Sequence, residues 1–347
     1  MKSGRSIEHF QSVEEVENLL SEPTPETVEA MGNLQGDLVI LGVGGKMGPT
    51  LARMAKRASD LAGVSRRVVG VSRFSSASLQ VSLQSLGIET HSCNLLDRGA
   101  YAHLPDAANI VFMAGMKFGS IDQEARTWAM NAFVPGLVSE RYRESRIAVF
   151  STGNVYGLSP VGLGGSIETD ALSPLGDYAM SCVGRERIFE YFSRMYQMPS
   201  SILRLNYATE LRYGVLLDIA ERVLAGNPVS LHMGHLNAIW QGDASAMSLQ
   251  SLLHASSPPI ILNVAGPELM SVRRIATYFA ERVGQEVHFE GIESQNALLS
   301  NAQKSFSLFG YPAVSVNEMM EWIAGWVLRG GEKFGKPTHF EVRTGKF

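Results

Sequence analysis

From Asp37 onward, short apolar runs alternate with longer amphipathic stretches. LVILGV, RVVGVS, ANIVFMA, RIAVFS and SSILRLN are near-continuous apolar runs of strand length, and ILNVAG is a later one. Between them, PTLARMAKRASDLA, QEARTWAMNAFVPGLVSERYRES and YAMSCVGRERIFEYFSRMY read as helices. Apolar strands alternating with helices predict an α/β fold with a doubly wound parallel sheet covered on both faces. Ahead of that pattern, SVEEVENLL predicts a short amphipathic helix. In SEPTPETVEAM, Thr24 stands where an N-cap belongs, with Pro25 at the first helical position and Glu26 adding favourable charge. Residues 1–36 are therefore expected to form a helical arm packed on the main fold, where it could also serve assembly. After about residue 206 the chain turns more irregular and predicts three helices. These would build a smaller lobe over the carboxyl ends of the strands, where open α/β sheets bind ligands.

The sharpest motif is LVILGVGGKMGPTLARMA, with Gly42, Gly44, Gly45 and Gly48. It follows an apolar strand and opens a helix, the context that makes a glycine pattern informative. Gly42 permits the tight turn, Gly45 lets backbone approach a pyrophosphate, and Gly48 allows close packing of helix on strand. The helix N-terminus then offers N–H groups and a positive dipole end to phosphates, with Lys46 adding charge beside Met47. Residues 37–206 thus read as a Rossmann-type NAD(P)-binding domain. Residues 207–347 read as a substrate-side lobe interleaved with that core, ending in the polar tail RGGEKFGKPTHFEVRTGKF.

Composition removes several classes. The 347 residues carry a net charge of −4 without a dense Lys/Arg run, which argues against nucleic acid as the main partner. No run of about 18 apolar residues occurs that could span a membrane. The first residues, MKSGRSIEHF, lack a signal peptide's apolar stretch. Two cysteines, Cys93 and Cys182, are too few for a disulfide framework or zinc site. The expected setting is the reducing cytoplasm. His232 and His235 form a His-x-x-His pair, but without a third ligand they give weak grounds for a metal, and none is expected. His235 or Asn237 is expected to line the substrate side, the alternative being that both are ordinary loop residues, and Trp240 is read as packing.

The spacing of Gly42, Gly45 and Gly48 resembles that of the extended short-chain dehydrogenases/reductases, the NAD(P)-dependent sugar epimerases and dehydratases. The resemblance covers about residues 37–280. ANIVFMAG, with Ala114 and Gly115, stands where that family places a strand and turn under the adenosine. AVFSTGNVYG matches its Ser-Thr-x-x-Val-Tyr-Gly strand end, DYAMSC occupies the place of its Tyr-x-x-Ser-Lys helix, and NVAGPELMSVRRIA resembles a late strand-to-helix turn. HSCNLLD resembles an Asp-Leu-x-Asp adenine contact, with Asn94 and Leu95 in the leading positions. At the end of the second strand, Ser72, Arg73, Ser75 and Ser76 replace the acidic residue that would hold a ribose hydroxyl. This set suits a 2′-phosphate, so NADP is favoured over NAD, although Arg73 could simply cover the adenine or face solvent.

The resemblance assigns the chemistry to Thr152, which would polarise a substrate oxygen, and to Tyr178, which would exchange its proton. Its lysine four residues after the tyrosine is here Cys182, a neutral thiol that cannot favour tyrosinate. Lys117 and Arg185 are the replacement cations the sequence offers. The resemblance therefore implies an NAD(P)-dependent oxidoreductase or epimerase, the alternative being a non-catalytic cofactor-binding sensor. Gly153 and Asn154 replace the dehydratases' Asp-Glu, and Leu236 stands seven residues before Asp243, where epimerases grip the substrate diphosphate with arginine. A small hydroxylated or sugar-like substrate is expected. The resemblance also implies a homodimer formed through the helices beginning near Gln123 and Tyr178.

Overall fold

The computed structural model describes residues 10–117 and 123–345. The first nine residues of the expected N-terminal arm, residues 1–9, lie outside them. Helices α1 (Val13–Leu20) and α2 (Pro25–Asn33) each begin at a hydroxyl cap: Ser12 accepts from the Glu15 N–H and Thr24 from the Thr27 N–H. Seven strands follow: β1 (Leu38–Leu41), β2 (Val68–Ser72), β3 (Glu89–Ser92), β4 (Asn109–Phe112), β5 (Arg146–Thr152), β6 (Ser200–Leu205) and β7 (Ile260–Val264). All pair in parallel, in the order β7-β6-β5-β4-β1-β2-β3. This is the Rossmann-type doubly wound sheet. Its order reverses between β1 and β4, which opens a crevice at the carboxyl ends of those strands.

The strand pleat distributes the core. Leu38 and Ile40 face α2 and α3 (Gly48–Leu61) in a cluster with Met31, Leu51 and Met54. Val39 and Leu41 face the opposite side. That side is covered by α6 (Val134–Arg141) and α7 (Gly176–Tyr196), whose Val138 and Phe189 are buried. Helix α4 (Ala77–Ser85) joins β2 to β3, and α5 (Glu124–Trp128) runs through one π turn, Ala129–Phe133, into α6. Neither α4 nor β3 is announced by the sequence, because β3 is a polar, partly exposed edge strand and α4 buries only Leu83.

Five helices follow residue 206 among the described residues, not three: α8 (Val215–Leu224), α9 (Gln241–Gln250), α10 (Val272–Val283), α11 (Gln303–Phe309) and α12 (Val316–Leu328). Every residue of α9 is buried, so no polar stripe marks it, and α11 is only seven residues long. Helices α8, α10 and α12 enclose a second core around Trp240, Phe279 and Trp322. Val16 and Leu20 of α1 belong to that same core, whereas Met31 of α2 belongs to the core under the sheet. The N-terminal arm thus joins lobe to sheet.

The C-terminal tail crosses the lobe as an extended strap. The Phe334 N–H donates to the Arg212 carbonyl, and both the N–H and the hydroxyl of Thr338 donate to Asp218 on α8. Arg343 then donates to the carbonyls of His232 and Asn296, and Gly345 lies against Leu175 and Gly176 at the start of α7.

One buried ion pair fixes α7 on the sheet. The Arg204 guanidinium on β6 donates to the Glu186 carboxylate at 2.7 Å, and each side chain is 3% exposed. Ser151 donates to the same carboxylate, while Arg204 also donates to the Tyr156 hydroxyl, which in turn donates to Asn263 on β7. Removing one partner from such a pair strands a charge without solvent, at a cost of about 3–5 kcal/mol. Arg204→Met should lose stability on that scale in denaturant unfolding. The double variant Arg204→Met, Glu186→Leu should regain most of it, and a single variant as stable as wild type would contradict this account.

Candidate functional site

The glycine loop is shaped by what its neighbours leave no room for. Gly42 has φ +96°, and a Cβ there would lie 2.6 Å from the Ala114 nitrogen. A Cβ on Gly48 would collide with the Val43 carbonyl, so α3 can begin against β1 only with glycine at that position. Gly45 differs: a Cβ there would meet only the Gly42 oxygen, at 3.4 Å, and would occupy the open cleft. The loop therefore presents bare backbone and the start of α3 to a cavity of about 1060 Å³. That volume lies just above the roughly 300–1,000 Å³ of small-molecule sites. A dinucleotide's phosphates fit a cradle of this kind, which supplies N–H groups and a positive helix end without a side chain in the way.

The same cavity gathers most of the residues singled out in the sequence. Gly42, Gly45, Lys46, Met47, Ser72, Arg73, Ser75, Asn94, Leu95, Ala114, Gly115, Thr152 and Tyr178 all line it. Gly48 does not, because its role is packing. At the outer end, Ser72 closes β2 and its hydroxyl accepts from the Phe74 N–H at 3.5 Å. Asn94 accepts from the Leu96 N–H at 3.3 Å, which holds the loop after β3.

At the inner end, β5 delivers Thr152 and the first turn of α7 delivers Tyr178. Thr152 caps the short helix Gly153–Tyr156, accepting from the Asn154 N–H at 3.2 Å and from the Asn154 amide at 2.9 Å. Its side chain also shares a hydrogen bond with Tyr178. Asp177 accepts from the Trp128 indole at 2.8 Å, which fixes the start of α7 against α5. Burial pushes the Tyr178 phenol well above its ordinary value, and the nearby Cys182 adds to this, while the Arg185 charge and the Thr152 hydrogen bond work against it. Cys182 is wholly buried beside Val155 and Tyr156, and burial raises its thiol as well. It packs behind Tyr178 and shares a side-chain hydrogen bond with it.

The two replacement cations end in different places. Arg185 donates to the Phe150 carbonyl and the Asn131 side chain, both at 2.7 Å. Its guanidinium is tied beneath the strand ends, yet it also lines the cavity, and its charge opposes the rise of the Tyr178 phenol. Lys117 follows β4 and sets its ammonium 5.7 Å from the centre of the Tyr178 ring. Its position is set by Asn131 in the π turn, which accepts from the Met116 N–H at 2.9 Å and donates to the Met116 carbonyl at 3.0 Å. Burial pushes the Lys117 ammonium down to about 8.

The lobe contributes residues that the sequence does not single out. Arg212, Tyr213, Phe334, Lys336 and Thr338 line the same cavity, the last three from the strap. Nothing in a polar, glycine-containing tail points to this, because the strap is placed by Asp218, far away along the chain. The Lys46 ammonium lies over the Tyr213 ring, 3.3 Å from its centre, and thus reaches toward the lobe. Leu236 is fully buried and does not line the cavity, and His232 pairs with Ser230.

A sequence profile described as the NAD dependent epimerase/dehydratase family matches residues 38–232. No match was found among curated protein sequences. Among solved structures, the chain is similar to dTDP-glucose 4,6-dehydratase from Bacillus anthracis in complex with NAD, with a TM-score of 0.71 and 14% identity over 84% of this chain and 96% of that one. It is also similar to UDP-glucuronic acid 4-epimerase from Bacillus cereus in complex with UDP-glucuronic acid and NAD, with a TM-score of 0.68 and 18% identity over 84% of this chain and 99% of that one. A third likeness is to UDP-glucose 4-epimerase from Thermotoga maritima with UDP-glucose, with a TM-score of 0.68 and 16% identity over 85% and 99%. At these identities the structural likeness establishes the fold.

The loop geometry gives a paired prediction. Gly48→Ala should destabilise the protein by about 1–3 kcal/mol, the usual cost of forcing atoms into a packed site. Gly45→Ala, whose methyl would enter the cleft, should stay within about 0.5 kcal/mol of wild type. Thermal unfolding of the two variants side by side checks this, and equal losses would contradict it.

Proposed function

The chain belongs to the NAD dependent epimerase/dehydratase family, and from that premise we propose that it is a nicotinamide-dependent oxidoreductase or epimerase acting on a small hydroxylated or sugar-like substrate. The observation that carries this reading is the grouping of Thr152, Tyr178 and Lys117 on the wall of the cavity that the glycine loop opens.

Gly42, Gly45 and the start of α3 would hold the cofactor's diphosphate, with Ala114, Gly115, Asn94 and Leu95 beneath and beside the adenosine. Ser72, Arg73 and Ser75 at the β2 end offer hydroxyls and a guanidinium and no carboxylate, which favours NADP over NAD. When bound, the nicotinamide supplies the acceptor or donor of hydride. The chain's own residues manage the proton. Thr152 hydrogen-bonds the reacting oxygen and holds it toward Tyr178, and the Tyr178 hydroxyl gives or takes the proton at that oxygen. Lys117 replaces the lysine that the family's motif carries on the helix, and its charge favours the phenolate. It does so from the loop after β4, so position 182 can hold a buried, neutral thiol.

Leu236 is buried where epimerases carry a diphosphate-binding arginine, and Gly153 and Asn154 supply no carboxylates after Thr152. Both observations favour a substrate without a nucleotide and disfavour 4,6-dehydration. Exposed Trp128, Phe133, Met180, Tyr191 and Met195 on α5–α7 and the π turn support a homodimer through those helices. Among the described residues, no helix is long and apolar enough to cross a membrane.

Lys117 is charged below about pH 8 and neutral above it, so its support for Tyr178 is present at neutral pH and lost as pH rises through that value. Turnover should fall on the alkaline side with an apparent pKa near 8. Lys117→Met should lower it about 10²-fold or more and abolish that alkaline limb, in line with the worth of a tuned acid–base group. Absorbance of the reduced nicotinamide, followed across a panel of sugars and hydroxy acids, reads both effects. An active wild type matched in rate and pH profile by Lys117→Met would overturn the assignment.

A further inference from the structure

The cleft gathers three lysines besides its glycine loop's backbone. Lys46 from the glycine loop, Lys117 from the loop after β4 and Lys336 from the C-terminal strap all line one cavity. They come from three separate parts of the chain, and the fold brings them together. Lys46 sets its ammonium over the ring of Tyr213, two residues before α8. Burial pushes Lys46 down to about 7, and the like charges of Lys117 and Lys336 push it the same way, with Asp218 opposing. Asp218 is itself engaged, accepting from the Thr338 N–H at 2.7 Å and from its hydroxyl at 2.5 Å. Those two bonds anchor the strap two residues beyond Lys336 and so hold Lys336 at the rim.

Mutually repelling ammonium groups around a cavity are stabilised when an anion enters among them. In the proposed function the cofactor's diphosphate has its own cradle in the glycine loop, made of backbone N–H groups and a helix end. The site that grips a diphosphate in the epimerase pattern is absent, with Leu236 buried in its place. We propose that Lys46 and Lys336 form a subsite for an anionic group on the substrate, a carboxylate or a phosphate ester, and that the C-terminal strap is part of the substrate site. This rests on the nicotinamide-dependent reading above and narrows its substrate to acidic hydroxy compounds, such as sugar acids or sugar phosphates. Lys117, at the inner end beside Tyr178, adds long-range attraction while keeping its role there.

The test uses full-length protein loaded with NADH or NADPH and titrated calorimetrically with inorganic phosphate and, separately, with malonate. The expected result is saturable binding of at least one anion to the loaded protein, weakening as salt is added. Lys336→Gln should reduce that affinity about tenfold, the weight of one charge-assisted hydrogen bond, and Lys336→Arg should restore most of it. Because Lys336 is exposed on the strap, its replacement leaves the core intact. Tighter phosphate binding identifies a phosphate ester, and tighter malonate binding a carboxylate. Loaded protein that binds neither anion, or binds equally well with Lys336→Gln, overturns the subsite and leaves the nicotinamide reading standing. Anions that bind only empty protein and are expelled by cofactor would assign these lysines to the diphosphate, which also overturns it. Failure to take up either reduced cofactor would overturn the functional reading, and the subsite with it.

Discussion

The buried contact between Glu186 and Arg204 is the constraint on which the site's geometry depends. A carboxylate and a guanidinium this far from water are stable only while they hold each other and their remaining hydrogen-bonding atoms are satisfied. Ser151, Tyr156 and Asn263 meet that second condition, and in doing so they join β5, the short helix after it, α7, β6 and β7. Thr152 and Tyr178 are carried by two of those elements. Their alignment on the wall of the cleft is therefore set by a network about two helical turns below Tyr178.

A phenol and an ammonium brought together in the cleft each shift against their charged forms. Tyr178 is driven up by burial and Lys117 down, so each becomes harder to ionise alone. The charge that opposes the rise at Tyr178 is that of Arg185, with the Thr152 hydrogen bond acting in the same sense, while the Lys117 ammonium lies 5.7 Å from the centre of the ring. In the proposed function, Lys117 takes the place of a lysine one turn along the helix, from a different element. Asn131, placed by a π turn, clamps both backbone groups of Met116 and so fixes where Lys117 begins. A turn of wider helix is a common means of aiming a single side chain at a site.

The sheet and the glycine loop were legible because their physics is local. Apolar strands of suitable length, a cap at Thr24 and glycines where no side chain fits are all written in consecutive residues. β3 and α9 were not legible for opposite reasons: one is polar at a sheet edge, and the other is buried all round, so neither shows a two-faced pattern. Position within the cleft is also non-local. Spacing along α7 shows that Cys182 follows Tyr178 by one turn, but only the fold separates Lys117, beside the ring, from Arg185, bound to Phe150 and Asn131. The strap is the extreme case, since Lys336 and Thr338 reach the cavity through Asp218, 120 residues earlier in the chain than Thr338.

The central claim is that this cavity is built for a nicotinamide dinucleotide, and equilibrium titration of cofactor-stripped protein with NAD⁺ and NADP⁺ tests it most directly. The account predicts saturable binding at one site per chain, tighter for NADP⁺, with that preference removed by Arg73→Ala. Absence of binding to both nucleotides, with the protein folded, would contradict it.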